Sequence, residues 1–324
     1  MQSYWIRTDE GRSSLERREV PIPAPAPGQA LVRLRAAGLN RGEFIAVQGL
    51  HKPGPAKPAG TEGAGEIVTV GEGVAHLRFG ERVMGRCPGA FAEYALMDAR
   101  EMIPVPERLS WEEAAAVPLA FLVVYDMLIA QGNLRPQEWL LVTGISSGVG
   151  VASLQAAKAL GARVIGTSGS AEKLARLRAL GLDVALRTRA GDFCDAVLQS
   201  TGGRGADLAV NTVGGSMFAE CVRALAFEGR LAIVGYVDGV LKAEVDIEAL
   251  HTKRLKLFGV SNKLRNAEQR AATVRGFAAD LLPAIADGRI RPLVDRVYAF
   301  DELPMAKERM ESNLHVGKLV LRMA

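Results

Sequence analysis

Thr143-Gly-Ile-Ser-Ser-Gly-Val-Gly150 is the stretch on which the reading of the whole chain turns. It follows an apolar run, Trp139-Leu-Leu-Val-Thr143, with the pattern of a buried strand. It precedes Val151 to Leu160, an alanine-rich segment that reads as a helix stopping at Gly161. Glycine at such a turn lets the main chain bend tightly and approach an anion closely. Amides at the helix N-terminus then point at a pyrophosphate, with the helix dipole behind them. The spacing Gly144, Gly148, Gly150 is a variant of the strict G-x-G-x-x-G pattern, and glycines alone are a weak signal. The flanking strand and helix supply the context that the chemistry needs. Ser146, Ser147, Gly148, Val149 and Gly150 are therefore candidate cofactor-binding residues, against the plainer reading of a structural turn.

Outward from this turn the rhythm is strand, helix, strand, helix. Ala162-Arg-Val-Ile-Gly166 reads as a strand, Ala171 to Leu180 as a helix stopping at Gly181, and Leu208–Val213 and Gly229–Gly235 as later strands. Such alternation means right-handed βαβ units around a doubly wound parallel sheet. Before it, residues 1–118 are rich in Gly, Pro and short β-branched runs such as Ala30-Leu-Val-Arg-Leu-Arg35 and Gly65-Glu-Ile-Val-Thr-Val70, the pattern of a compact, partly open β-barrel. After it come a helix expected over Ala267 to Asp287 and a short strand, Gly317-Lys-Leu-Val-Leu321, able to return to the first domain. The expected organisation is α/β, with residues 1–118 and 261–324 in one domain and 119–260 in a dinucleotide-binding domain.

The end of the second parallel strand chooses between cofactors. A site selective for NAD places Asp or Glu there to accept from the ribose 2′-hydroxyl. Here the residues are Gly166-Thr-Ser-Gly-Ser-Ala-Glu-Lys173, with Glu172 already on the helix. Ser168 and Lys173 can instead donate to a 2′-phosphate, and Arg189 can add charge to the same place; the expectation is NADPH. The plainer reading leaves Lys173 solvated on a first helical turn.

Bulk properties exclude several classes. The chain has 324 residues, 48% hydrophobic and 23% charged, with a formal charge of +4 and no basic run, which gives nucleic-acid binding little support. Cys87, Cys194 and Cys221 are too few and too far apart for a disulfide framework and fit a reducing compartment. The first ten residues carry Arg7, Asp9 and Glu10 without an apolar core. The longest apolar stretch, Ala114 to Tyr125, is about half a membrane span and is broken by Pro118. A cytoplasmic protein with no membrane partner is expected. Its four histidines, His51, His76, His251 and His315, are far apart, and no cysteine lies at a metal-like spacing from another, so zinc catalysis is not expected.

Ala36-Ala-Gly-Leu-Asn-Arg41, Gly60-Thr-Glu-Gly-Ala-Gly-Glu66, Val70-Gly-Glu-Gly-Val74, Gly80-Glu-Arg-Val83, Val117-Pro118, the Ser146–Gly150 turn, Gly229-Arg230 and Gly317-Lys318 follow one another in an order that resembles the quinone oxidoreductases, the zinc-independent branch of the medium-chain dehydrogenase/reductases. In zinc relatives Gly-Thr-Glu reads Gly-His-Glu and a cysteine stands near Asn40; here Thr61 and Asn40 occupy those places. The resemblance implies a GroES-like catalytic domain wrapped around a Rossmann domain, with NADPH in the cleft between them. It also implies a homodimer joined through sheet edges at Leu255–Val260, and hydride transfer to a quinone or an α,β-unsaturated carbonyl. It puts Asn40 and Arg41 beside the nicotinamide, with Gly235 and Tyr236 along the cofactor's path. Relatives carry tyrosines where this chain has Ile45 and His51, a threonine at Val123, and a tyrosine on the phosphate side at Thr188. The expected substrate pocket is formed by Ile45, His51 and Val123, and it is less polar than usual at Ile45 and Val123, which favours an apolar enone or enal.

The protein must orient the nicotinamide and stabilise the oxygen that becomes negative. Arg41 and the Asn40 amide are the expected donors, although Arg41 can equally clamp the cofactor. Glu43 reads as a solvated loop carboxylate more readily than as a proton relay. Tyr125, in an apolar helix from Phe121 to Ile129, reads as a packed residue with a satisfied hydroxyl. No residue is named as an acid. Two alternatives stay open: an enoyl-thioester reductase, with Arg265 and Arg270 as a weak basic mouth, and an NADPH-binding sensor without turnover.

Overall fold

The strand Trp139–Thr143 is buried along its whole length, which an apolar run can satisfy only with neighbours on both edges and cover on both faces. In the structure, a computed structural model that describes residues 1–9, 12–44 and 54–323, it lies inside a parallel sheet. Among the described residues the strand order is Val184–Arg187, Arg163–Ser168, Trp139–Thr143, Ala206–Asn211, Leu225–Ile233, Lys256–Gly259. Every pairing in it is parallel. The sequence order reverses at Trp139–Thr143, the topological switch point at whose carboxyl end open α/β sheets bind ligands. Leu141, Phe193, Cys221 and Leu231 belong to a core packed against this sheet.

The chain divides into two compact units. This parallel sheet belongs to residues 121–266 and 287–290, and the other unit comprises residues 1–120, 267–286 and 291–324. In the latter, a largely antiparallel sheet runs in the order Val294–Ala299, Lys318–Arg322, Gln29–Gly38, Glu62–Val70, Arg82–Arg86, Met102–Pro104, and Tyr94–Asp98 also pairs with Gln29–Gly38. A smaller sheet joins Arg12–Glu19, Gln2–Asp9 and Gly54–Pro58. Register shifts between Gln29–Gly38 and Glu62–Val70 bend the ladder, as extra residues in one strand do. Leu34, Phe91, Met97 and Leu319 fill the interior of this unit. The final strand does return to the first domain: Val320, Leu321 and Arg322 pair antiparallel with Gly38, Ala37 and Ala36.

Two expected helices are broken. The segment from Ala267 forms a helix over Ala267–Asp280 and a second over Leu282–Ala286, because Pro283 removes one amide bond and its ring crowds the preceding turn. The apolar helix around Tyr125 is α-helical over Pro118–Val124 and widens to a π-turn over Tyr125–Ala130, with the Gln131 amide donating to the Asp126 carbonyl at 2.9 Å. No helix among the described residues is long and apolar enough to cross a membrane. All three cysteines are free and buried, and burial pushes the Cys87 and Cys221 thiols up.

Candidate functional site

The glycine-rich turn is held from three sides. The helix Gly148–Ala159 begins immediately after it, and the Ser147 hydroxyl caps it by accepting from the Gly150 amide at 3.1 Å. The Ile145 amide donates to the Thr167 carbonyl at 3.0 Å, and the Gly144 amide to the Thr167 hydroxyl at 3.3 Å, which joins the turn to the neighbouring strand. Gly144 has φ +63°, and a Cβ there would stand 2.7 Å from Thr212 Oγ1. A Cβ on Gly150 would lie 2.6 Å from the Ile145 carbonyl oxygen, and one on Gly166 2.8 Å from the Ile145 side chain. Two of the roles a dinucleotide turn requires of its glycines are met here: a tight bend at Gly144 and close packing of helix on strand at Gly150 and Gly166. Ser146, Ser147 and Val149 are half-buried around the cradle.

At the carboxyl end of Arg163–Ser168, Ser168 and Arg189 lie close together, and Lys173 follows on the next helix. Ser168 is buried and its hydroxyl accepts from the Ser170 amide at 3.3 Å; Ser170 in turn caps the helix Ala171–Arg178 through the Lys173 amide at 3.3 Å. The Thr188 amide donates to the Ser168 carbonyl at 3.2 Å, bringing the following residue alongside. Arg189 lies over Gly169 so closely that a Cβ there would be 2.1 Å from its Nε. Glu172 is exposed. Gly235 sits beside the end of Ala206–Asn211, where a Cβ would be 3.0 Å from the Thr212 carbonyl oxygen, and Tyr236 is half-buried next to it. Asn211 organises this loop: its carboxamide oxygen accepts from the Val213 and Gly214 amides at 3.0 and 3.1 Å, and its nitrogen donates to the Gly214 carbonyl at 2.8 Å. Sequence reasoning passes over Asn211, although an amide at the end of an apolar strand is itself a signal.

In the other unit a buried polar network surrounds Asn40. Lys318 Nζ donates to Glu62 Oε1 at 2.6 Å, to Asn40 Oδ1 at 2.7 Å and to the Leu39 carbonyl at 2.8 Å. Asn40 Nδ2 donates to Glu62 Oε1 at 2.8 Å and more weakly to Thr61 Oγ1 at 3.4 Å, so the orientation of the amide is set by an ammonium on one side and a carboxylate on the other. Glu62 Oε2 accepts from the Leu119 amide at 2.7 Å. Arg41 is anchored to the end of the helix Leu303–Glu311, with Nη2 donating to the Met310 carbonyl at 2.9 Å and to Asn313 Oδ1. Val123 is half-buried in Pro118–Val124, whereas Ile45 and His51 lie outside the described residues.

Glu43 departs from expectation. It is buried, 9% exposed, on the short 3₁₀ turn Arg41–Glu43. Its Oε1 accepts from the Thr61 hydroxyl and its Oε2 from the Asn40 amide at 2.9 Å. Burial pushes its carboxyl up to about 7, against the opposing pull of those two bonds and of Lys318. The arginines weighed as a basic mouth are engaged elsewhere: Arg265 faces Asp126 at 3.5 Å, and Arg270 Nε donates to Glu101 at 2.6 Å. Among the described residues no group of three or more His, Cys, Asp or Glu side chains could hold a metal.

Comparison with known proteins agrees with this architecture. Residues 26–107 match the alcohol dehydrogenase GroES-like domain, and residues 148–274 match a family described as zinc-binding dehydrogenase. The human synaptic vesicle membrane protein VAT-1 homolog is 30% identical over 95% of this chain and 82% of its own length. The rat quinone oxidoreductase is 28% identical over 94% of this chain and 92% of its own. A polypeptide of the phenolphthiocerol/phthiocerol polyketide synthase of Mycobacterium tuberculosis is 31% identical over 95% of this chain, which spans only 14% of that polypeptide. The mycobacterial protein Rv1454c, solved complexed with NADPH, superimposes with a TM-score of 0.89 at 27% identity, covering 99% of this chain and 100% of its own. A GroES-like domain, a Rossmann sheet and relatives that span nearly the whole chain lead to one conclusion: it belongs to the medium-chain dehydrogenase/reductase family, and within it to the quinone oxidoreductase type.

Proposed function

We propose that this protein is a zinc-independent reductase that uses NADPH to deliver hydride to a quinone or an α,β-unsaturated carbonyl. The observation that carries the cofactor choice is that Arg189 lies over Gly169 beside Ser168 at the end of Arg163–Ser168, with Lys173 on the first turn of the helix that follows and no Asp or Glu at the strand end. The turn fits a dinucleotide: Gly144 bends the chain at φ +63°, Gly150 lets the helix pack closely on Ile145, and the helix from Gly148 directs its first amides beyond the strand end. NADPH, when bound, supplies the hydride. The chain's part is to hold the pyrophosphate at Ser146–Gly150, to pair Ser168, Lys173 and Arg189 with the 2′-phosphate, and to line the path with Gly235 and Tyr236. The donor set around Asn40 does not suit zinc. An amide and a hydroxyl replace the soft or imidazole ligands, and the Lys318 ammonium stands between Asn40 and Glu62 where a second cation would be repelled.

The test is NADPH oxidation, followed by absorbance, with 1,4-benzoquinone, 2-alkenals and crotonyl-CoA in parallel, each repeated with NADH. Turnover with quinone or alkenal confined to NADPH is the expected result. Tight NADPH binding without turnover would favour a cofactor-binding sensor, and turnover confined to crotonyl-CoA a thioester reductase. Arg189→Ala is expected to weaken NADPH about ten-fold or more while leaving NADH unchanged, because one charge-assisted bond to the 2′-phosphate is lost. Equal losses for both cofactors would remove Arg189 from the phosphate site.

The same reading makes the protein a cytoplasmic homodimer. Lys256–Gly259 is the last strand of the parallel sheet among the described residues, and Val240, Leu241, Val245 and Ile247 are exposed in the same unit. An edge strand and an apolar strip favour a second copy of the chain. Sedimentation should give about twice 34.6 kDa; a single-chain mass at micromolar concentration would end this proposal. Fractionation of the source cells checks the compartment.

A further inference from the structure

We propose that Glu43 and Thr61 form a two-residue proton relay, in which the Thr61 hydroxyl delivers a proton to the reduced substrate and Glu43 resupplies it. The inference rests on the reductase reading above and goes beyond it by naming the proton source that hydride transfer to an enone requires.

Three observations carry it. Glu43 is a buried carboxyl, yet it is not hydrogen-bonded to the nearby cation: Lys318 is bonded to Glu62, Asn40 and Leu39. Its two oxygens have different partners, the Asn40 amide and the Thr61 hydroxyl. Thr61 is half-buried and so reaches outward, while Glu43 does not. The main-chain N–H of Asn40 can only donate, so it holds one carboxyl oxygen in either protonation state. The hydroxyl can donate or accept. When Glu43 is ionised, the hydroxyl points its proton inward at the carboxylate. When Glu43 is protonated, the bond reverses and the hydroxyl's own proton turns outward. Proton loss from Thr61 therefore does not leave an alkoxide, because Glu43 fills the vacancy in the same motion.

The step balances. Hydride adds to the β-carbon of the enone, and the pair from the carbon–carbon double bond moves onto the carbonyl oxygen. The resulting enolate takes a proton from Thr61 Oγ1, and Thr61 takes one from the Glu43 carboxyl. Glu43 is left as carboxylate and recovers a proton from solvent through the same hydroxyl between turnovers. The charged and titratable groups around Glu43 are Lys318, which favours the carboxylate, Glu62, which disfavours it, and the Cys87 thiol, which burial keeps neutral. Burial outweighs the rest and keeps the carboxyl protonated up to about 7, the range in which a general acid is effective.

The test combines kinetics with two measurements that need no turnover. For a 2-alkenal, kcat should be level below pH about 7 and fall above it, since the acid form is required. Glu43→Gln should lower kcat about a hundred-fold and abolish that fall. Thr61→Val should do the same, and Thr61→Ser should restore the route that Thr61→Val loses. With a quinone, whose reduced oxygen takes its proton from water, the wild type itself should show no fall in kcat above pH about 7. Independently of activity, infrared difference spectra should show a carboxyl band titrating near pH 7 that is absent in Glu43→Gln and moves upward in midpoint in Thr61→Val, which has lost a donor to the carboxylate. Thermal melts should show wild-type stability falling as pH rises from the ordinary carboxylate range through about 7, because the folded state holds the proton that the unfolded state releases, while Glu43→Gln lacks this fall. Turnover with an unchanged pH profile in Glu43→Gln overturns the relay and leaves the reductase reading intact. Absence of all turnover in the wild type overturns the reductase reading and the relay with it, an outcome distinct from turnover with an unchanged profile.

Discussion

Lys318→Met is expected to destabilise the protein by about 3–5 kcal/mol, a large part of the stability of an ordinary domain. Glu62 has no exposed surface, and its Oε1 meets the Lys318 ammonium at 2.6 Å. Removing the cation leaves a buried carboxylate with only the Asn40 and Leu119 N–H groups for compensation. Asn40 also loses the contact that sets the orientation of its amide. The double variant Lys318→Met/Glu62→Gln should recover part of the loss, since a neutral amide needs no counter-charge. Urea unfolding of the wild type and the two variants measures this. A cost under about 1 kcal/mol for the single variant would show that Glu62 does not depend on Lys318.

Gly150→Ala is expected to abolish useful NADPH binding, with an affinity loss of about a hundred-fold or more at the cost of one methyl group. A Cβ at this position would meet Ile145 main-chain atoms at 2.6 and 2.7 Å, and main chain cannot rotate away as a side-chain tip can. Ile145 is itself locked by its amide bond to Thr167 and by packing on Gly166. The helix must therefore retreat from the turn, and its first amides leave the position they need to face a phosphate. Overpacking of this kind also costs about 1–3 kcal/mol of stability. Fluorescence titration with NADPH, alongside a melting curve, separates the two effects. Unchanged affinity would mean that the cradle is not where the cofactor binds.

Local chemistry makes the parallel sheet legible. The glycines of the turn, the apolar strand before it and the helix after it are neighbours in sequence, and each restricts the next. The same is true of Ser168 and Lys173, which sit on one strand end and the helix that follows. The broken helix at Pro283 is readable in principle, because proline forbids what the apolar pattern around it invites. The network around Asn40 is not readable, because its partners are distant: Lys318 is 256 residues from Glu62 and 278 from Asn40. Glu43 escapes the sequence for a related reason. Its immediate neighbours, Arg41 and Gly42, look like those of a solvated loop, and the residue that encloses it is Thr61, at the foot of the strand Glu62–Val70.

The strand Lys318–Arg322 lies between Gln29–Gly38 and Val294–Ala299, so one sheet is built from the two extremes of the sequence. During synthesis the parallel sheet, with its partners all within residues 139–259, has what it needs to form early. The antiparallel sheet does not. Its first strands emerge from the ribosome with one edge open, and Glu62 waits for its counter-charge until 256 further residues have been made. At translation speeds of about 5–20 residues per second that is an interval of many seconds. Over that interval the strands that precede Lys318 carry a bare edge open to mispairing, and Glu62 stays in water until its counter-charge arrives, so this is a stretch on which a chaperone has reason to act.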